Sequence, residues 1–148
     1  MIFKHRFRKA WILGAAITLG GHAVLAQTGT FTKNQVTAGH KNFFVYCASC
    51  HGDDLAGGGE VPGLTGPIFN QDWSSSSLGG FYAYIYNAMP QGLEGDLKPE
   101  EYSSITAYVL AANGAKPGQA PFTGKSDVKI SAIANGKIVS SVVNAPVQ

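Results

Sequence analysis

The chain has 148 residues, with eleven basic side chains against nine acidic ones, a formal charge of +2. It contains only two cysteines and is 45% hydrophobic, enough to build one packed domain. Four of the basic residues fall within the first 26, so the other 122 carry −2, which argues against a nucleic-acid partner.

Lys4, Arg6, Arg8 and Lys9 form a positive n-region, Ala10 to Leu19 is apolar, and Val24-Leu25-Ala26 before Gln27 fits a small-residue cleavage site. Residues 1–26 therefore read as a secretory signal peptide. The stretch from Ala10 to Ala26 is shorter than the roughly 20 apolar residues a membrane span needs, and Gly20, Gly21 and His22 interrupt it. Cleavage, a periplasmic location and no stable membrane span are expected. Beyond the cleavage site, 27–114 hold three lysines against eight acidic residues, and 115–148 hold four lysines against Asp127. The charge is thus split between an acidic head and a basic tail.

Gln27 to Phe31 reads as a frayed terminus. Thr32 and Gln35 form a capping-box pattern, predicting a helix from Lys33 to Tyr46. Val36, Gly39, Phe43 and Cys47 fall along one stripe of it. A glycine on a buried stripe suits a second helix passing close by. His40, beside the stripe, reads as a solvated helix histidine.

Cys47-Ala48-Ser49-Cys50-His51 is a C-x-x-C-H motif, the attachment pattern of a c-type haem. Two thiols at this spacing can form thioethers with the two vinyl groups of one porphyrin edge, and the adjoining imidazole can ligate the iron. A bare C-x-x-C also occurs in dithiol redox sites and zinc sites. A zinc site needs two more ligands, and the sequence offers no second Cys/His cluster; a dithiol site would be expected near a βαβ pattern, which is not apparent.

Gly52 to Asn70 is rich in Gly and Pro and reads as loop, with Asp53, Asp54 and Glu60 as a solvated rim. After Trp73, the run Ser74 to Ser77 offers an N-cap to an aromatic-rich helix from Leu78 to Asn87. Met89 is the one methionine beyond the leader. Pro90 biases it toward extended backbone, in a turn from which its thioether can face the iron opposite His51. The plainer reading is an ordinary core methionine. Pro99, with Glu100 and Glu101 in the first turn, starts a helix ending at Ala112 before Asn113-Gly114. In the tail, Lys116 to Pro121 reads as a linker. Val128, Ile130 and Ala132, then Ile138, Ser140 and Val142, flank Asn135-Gly136, a β-hairpin signal. Such a hairpin packs on the body, docks on a partner or stays mobile.

Gly39-x-x-x-Phe43-x-x-x-Cys47, Cys47-x-x-Cys50-His51, Met89-Pro90 and Ile105-x-x-Tyr108-Val109 resemble class I cytochrome c, over residues 32 to 114. The resemblance implies an all-α fold in which the first and last helices cross at Gly39, Phe43, Ile105 and Tyr108, with loops and short helices enclosing the haem. It also implies a proline carbonyl accepting the proximal histidine N–H, for which Pro62 is the candidate, and an indole near a haem propionate, for which Trp73 is the candidate. The run from Tyr84 to Gly114 is similar to small cytochromes serving bacterial periplasmic dehydrogenases, including quinoprotein alcohol dehydrogenases.

The expectation is a signal peptide over 1–26, a haem domain over 27–114 and an extension over 115–148. One covalent haem c is attached at Cys47 and Cys50, with His51 and Met89 as axial ligands and no catalytic residue. Such a protein carries single electrons between redox partners: a periplasmic dehydrogenase, a terminal oxidase or another cytochrome. Two alternatives are an open-site haem enzyme or sensor, with His40 as its one distal candidate, and a fixed dehydrogenase subunit.

Overall fold

A computed structural model describes residues 29–147; the signal-peptide expectation for 1–26 lies outside them. The described chain is helical and contains no strand: α1 (Lys33–Tyr46), α2 (Ala48–His51), α3 (Gly66–Trp73), α4 (Leu78–Ala88), α5 (Pro99–Ala112), a 3-10 turn (Ile130–Ala132) and α6 (Ser140–Val143). None of these helices is long and apolar enough to cross a membrane.

The capping box forms at the start of α1. The Gln35 N–H donates to Thr32 Oγ1 at 3.2 Å, and the Thr32 N–H donates to Gln35 Oε1 at 3.1 Å. Gly39 and Phe43 then bury their stripe against α5. The approach is so close that a Cβ on Gly39 would collide with the Ser104 carbonyl oxygen and lie 2.8 Å from Tyr108 Cβ. Asn42 Nδ2 donates to Ser104 Oγ at 3.0 Å, fixing the register of the crossing.

Every residue of α5 from Tyr102 to Ala112 is buried. A helix covered on all sides needs a neighbour on each. Here α1 and α4 supply two, and the segment after residue 114 supplies another, the Val139 N–H donating to the Ala112 carbonyl at 2.9 Å.

Three local expectations are corrected. Residues 66–73, read as mostly loop, form α3, because Pro67 occupies the first turn, where its missing N–H costs nothing, and Phe69 provides a buried anchor. Phe31, read as frayed, is fully buried, and its carbonyl accepts the Gly118 N–H at 2.7 Å. The tail hairpin does not form. The segments flanking Asn135-Gly136 turn helical over Ile130–Ala132 and Ser140–Val143, and the first of them and the turn itself find backbone partners on the body: Ile130 N–H on Ser76 O at 3.0 Å, Ser131 N–H on Ser74 O at 3.0 Å and Asn135 N–H on Asn113 O at 3.2 Å. Of the three outcomes open for the tail, it packs on the body, burying Phe122, Ile130, Ala134 and Val143 in the common core.

The tail also completes α4. The first four N–H groups of a helix have no partner within it. Ser77 Oγ accepts the Gly80 N–H at 3.0 Å, while Leu78 and Gly79 donate to the carbonyls of Val128 and Ser126 at 2.8 and 2.9 Å.

Candidate haem site

Cys47 closes α1, its N–H donating to the Phe43 carbonyl at 2.8 Å, and α2 carries Cys50 and His51 on a single turn. Both thiols are free. Burial, with Cys50 beside it, pushes the Cys47 thiol up to about 12. No three His, Cys, Asp or Glu side chains gather into a metal-holding group among the described residues.

His51 is buried, and its Nδ1 lies 3.1 Å from the carbonyl oxygen of Pro62. A carbonyl only accepts, so Nδ1 must carry the proton. Nε2 is then left with its lone pair exposed, the tautomer a metal-bound imidazole requires. The chain returns from His51 to Pro62 through a tight loop. Leu55 sits in the left-handed region at φ 60° while fully buried, a conformation costing roughly 1–2 kcal/mol for a residue with a Cβ. The Leu55 carbonyl holds the Leu64 N–H at 2.8 Å, which closes the loop.

Asn113, buried just beyond α5, clamps the far end of that loop. Its Oδ1 accepts the Gly66 N–H at 3.0 Å, and its Nδ2 donates to the carbonyls of Leu64 at 2.9 Å and Val109 at 2.8 Å. Sequence reasoning treats Asn113-Gly114 only as a helix stop; nothing local signals that this amide reaches back 49 residues.

Met89 takes extended backbone at the C-cap of α4, φ −139° and ψ 150°, as Pro90 predicts. Its side chain is half-buried against the core. Trp73 is also half-buried, with its ring 4.7 Å from Phe81 and 4.9 Å from Tyr84, centroid to centroid. His40 is not the fully solvated residue expected. It stacks on Tyr108 at 4.9 Å and 24°, and burial lowers its pKa.

These residues fit a covalently attached haem. Two free thiols adjoin an imidazole whose Nδ1 is already satisfied. Leu64, Trp73 and Met89 present half-buried apolar surface at the edge of the core, and Ile68 and Tyr84 stand about half-exposed at 52% and 47%. Large apolar side chains left this open suit contact with a flat hydrophobic group.

A family model described as "Cytochrome C oxidase, cbb3-type, subunit III" matches residues 34–109. Among solved structures, the "Crystal Structure of the Sulfane Dehydrogenase SoxCD from Paracoccus pantotrophus" is similar at 21% identity with a TM-score of 0.43, over 86% of this chain and 70% of that chain. No curated protein matches.

Proposed function

The chain belongs to the family described as cytochrome c oxidase, cbb3-type, subunit III, a class I c-type cytochrome domain, and from this premise we propose an exported monohaem carrier of single electrons with His51 and Met89 as axial ligands. Cys47 and Cys50 hold the group covalently. When bound, haem supplies a one-electron couple between ferric and ferrous iron. The Pro62 carbonyl orients His51 and strengthens its ring as a donor, since the Nδ1–H···O bond at 3.1 Å leaves Nε2 as the coordinating atom. Met89 brings a thioether, which favours the reduced state and raises the potential. Phe81, Trp73 and Tyr84, packed ring on ring, would offer the group an aromatic, apolar surface. With His51 and Met89 both holding the iron, no coordination site would be left for substrate. Trp73 is the candidate for contact with a propionate.

Residues 1–26 direct export to the periplasm, and the electrons pass from a periplasmic dehydrogenase toward the respiratory chain. The observation that carries this reading is the paired thiols adjoining an imidazole whose Nδ1 lies 3.1 Å from a carbonyl. Reduced-minus-oxidised spectra and intact mass of protein purified from the periplasm test it. One added haem and a chain beginning at Gln27 are expected. Colourless protein with two bare thiols overturns it.

A further inference from the structure

Tyr102 is a buried, fully engaged polar side chain that the proposed electron carriage does not use. It lies in the first turn of α5 and is fully buried. Its hydroxyl is surrounded by three backbone groups of one loop. The Gly95 N–H donates to it at 2.9 Å, the Met89 carbonyl lies at 3.0 Å and the Leu93 carbonyl at 3.3 Å. A phenol carries one proton, so the hydroxyl donates chiefly to Met89 and accepts from Gly95.

Met89 is therefore held on both sides of its Cα. Its N–H donates to the Ile85 carbonyl at 2.9 Å, the last turn of α4, and its carbonyl is tied to Tyr102. The other bonds of the loop are local: Leu93 N–H to Pro90 O at 2.9 Å, Asp96 N–H to Leu93 O at 3.1 Å and Gly92 N–H to Glu94 Oε1 at 2.8 Å. They shape the loop without fixing it to the body. The Tyr102 ring packs on Tyr86 of α4 at 4.9 Å, so the same side chain joins α4, the loop and α5.

The tie continues to the thiols. Glu101, next to Tyr102, meets the Tyr46 hydroxyl at 3.4 Å, and Tyr46 directly precedes Cys47. Two residues further on, Ser104 sits against Gly39. The methionine loop and the C-x-x-C-H turn are thus referenced to one another through a single turn of α5.

We propose that Tyr102 is the positioning residue for Met89, its hydroxyl holding the methionine backbone so that the thioether stays directed at the iron. This rests on the axial role proposed above for Met89. Oxidised wild-type protein and the variants Met89→Ala, Tyr102→Phe and Tyr108→Phe are compared by the far-red thioether-to-iron absorption band and by the rate of imidazole binding. Tyr108 is the control: it is a buried tyrosine of the same helix whose hydroxyl has no partner among the described residues.

The wild type should show the band and Met89→Ala should lack it. If the wild type lacks it, the axial reading itself falls, and this inference with it. Given the band, Tyr102→Phe should bind imidazole roughly tenfold faster, the order expected for losing one buried hydrogen bond, while Tyr108→Phe stays at the wild-type rate. Equal rates in Tyr102→Phe and wild type overturn the positioning role alone. If Tyr102→Phe does not fold, amide exchange in the wild type decides. The Gly95 N–H should exchange no faster than the band is lost as pH is raised; exchange far ahead of that loss overturns the proposal.

Discussion

Replacing Asn113 with Leu keeps the branched heavy-atom skeleton of the side chain while deleting its amide, so the effect reads lost hydrogen bonding rather than a cavity. Three bonds disappear. The Val109 carbonyl keeps the Asn113 backbone N–H at 3.2 Å and is not orphaned. The buried Gly66 N–H and the half-buried Leu64 carbonyl are left unpaired. At roughly 1–3 kcal/mol for each of these two groups left unsatisfied, the cost comes to about 2–6 kcal/mol, toward the lower figure because Leu64 retains some contact with water. Urea unfolding of the haem-loaded protein, followed by circular dichroism, measures it. Asn87→Leu serves as the control, since that exposed amide makes one bond, to the Ala83 carbonyl at 2.7 Å, and should change stability by no more than about 0.5 kcal/mol. Leu64 follows Pro62 by two residues, so Asn113→Leu should also speed solvent exchange of the His51 Nδ1 proton. A variant within about 0.5 kcal/mol of wild type, with that proton equally protected, would refute the clamp.

Gly39→Ala forces α1 away from the Ser104 carbonyl; overpacking of about 1–3 kcal/mol or more outweighs the roughly 1 kcal/mol gained in helix propensity. Thermal unfolding should show a lower midpoint than wild type, whereas Gly58→Ala, with nothing within 4 Å of the added Cβ, should show little change. A Gly39→Ala protein melting at or above wild type contradicts the close crossing. His40 has its pKa lowered by burial, so the unfolded chain takes up a proton near pH 6.5 that the folded chain resists. The stability this contributes is present above pH 6.5 and is lost as pH falls toward the folded value. His40→Phe, which keeps a ring against Tyr108, should flatten that part of the stability profile between pH 7 and 5; parallel profiles would contradict it.

The sequence discloses those parts of the fold whose causes lie within a few residues. The Thr32–Gln35 box, Ser77 as a cap, Pro99 at the start of α5 and the effect of Pro90 on Met89 are local, and each is visible as a pattern of three or four letters. The C-x-x-C-H turn is equally local. Pro62 is reached only through family resemblance, because a flexible Gly-rich loop gives no register from which to predict a carbonyl 3.1 Å from His51. What stays hidden depends on partners far along the chain. Gly66 starts a helix in a Gly/Pro-rich stretch because Asn113 accepts its N–H across 47 residues. Asn135-Gly136 has the chemistry of a hairpin turn, yet the flanking segments are drawn to carbonyls at Ser76, Asn113 and Ala112. Tyr102 looks like one more apolar-face residue until its hydroxyl is seen among three backbone groups of the methionine loop.

The same helix that ends at Met89 begins under carbonyls of residues 126 and 128. Eleven residues at about 1.5 Å each separate these ends by roughly 16 Å. A proteolytic nick, an affinity tag or a fusion joint introduced between residues 122 and 128 therefore acts on the helix that carries Met89, the proposed ligand, from its opposite end. Swapping this haem module between proteins succeeds only if the last quarter of the chain travels with it.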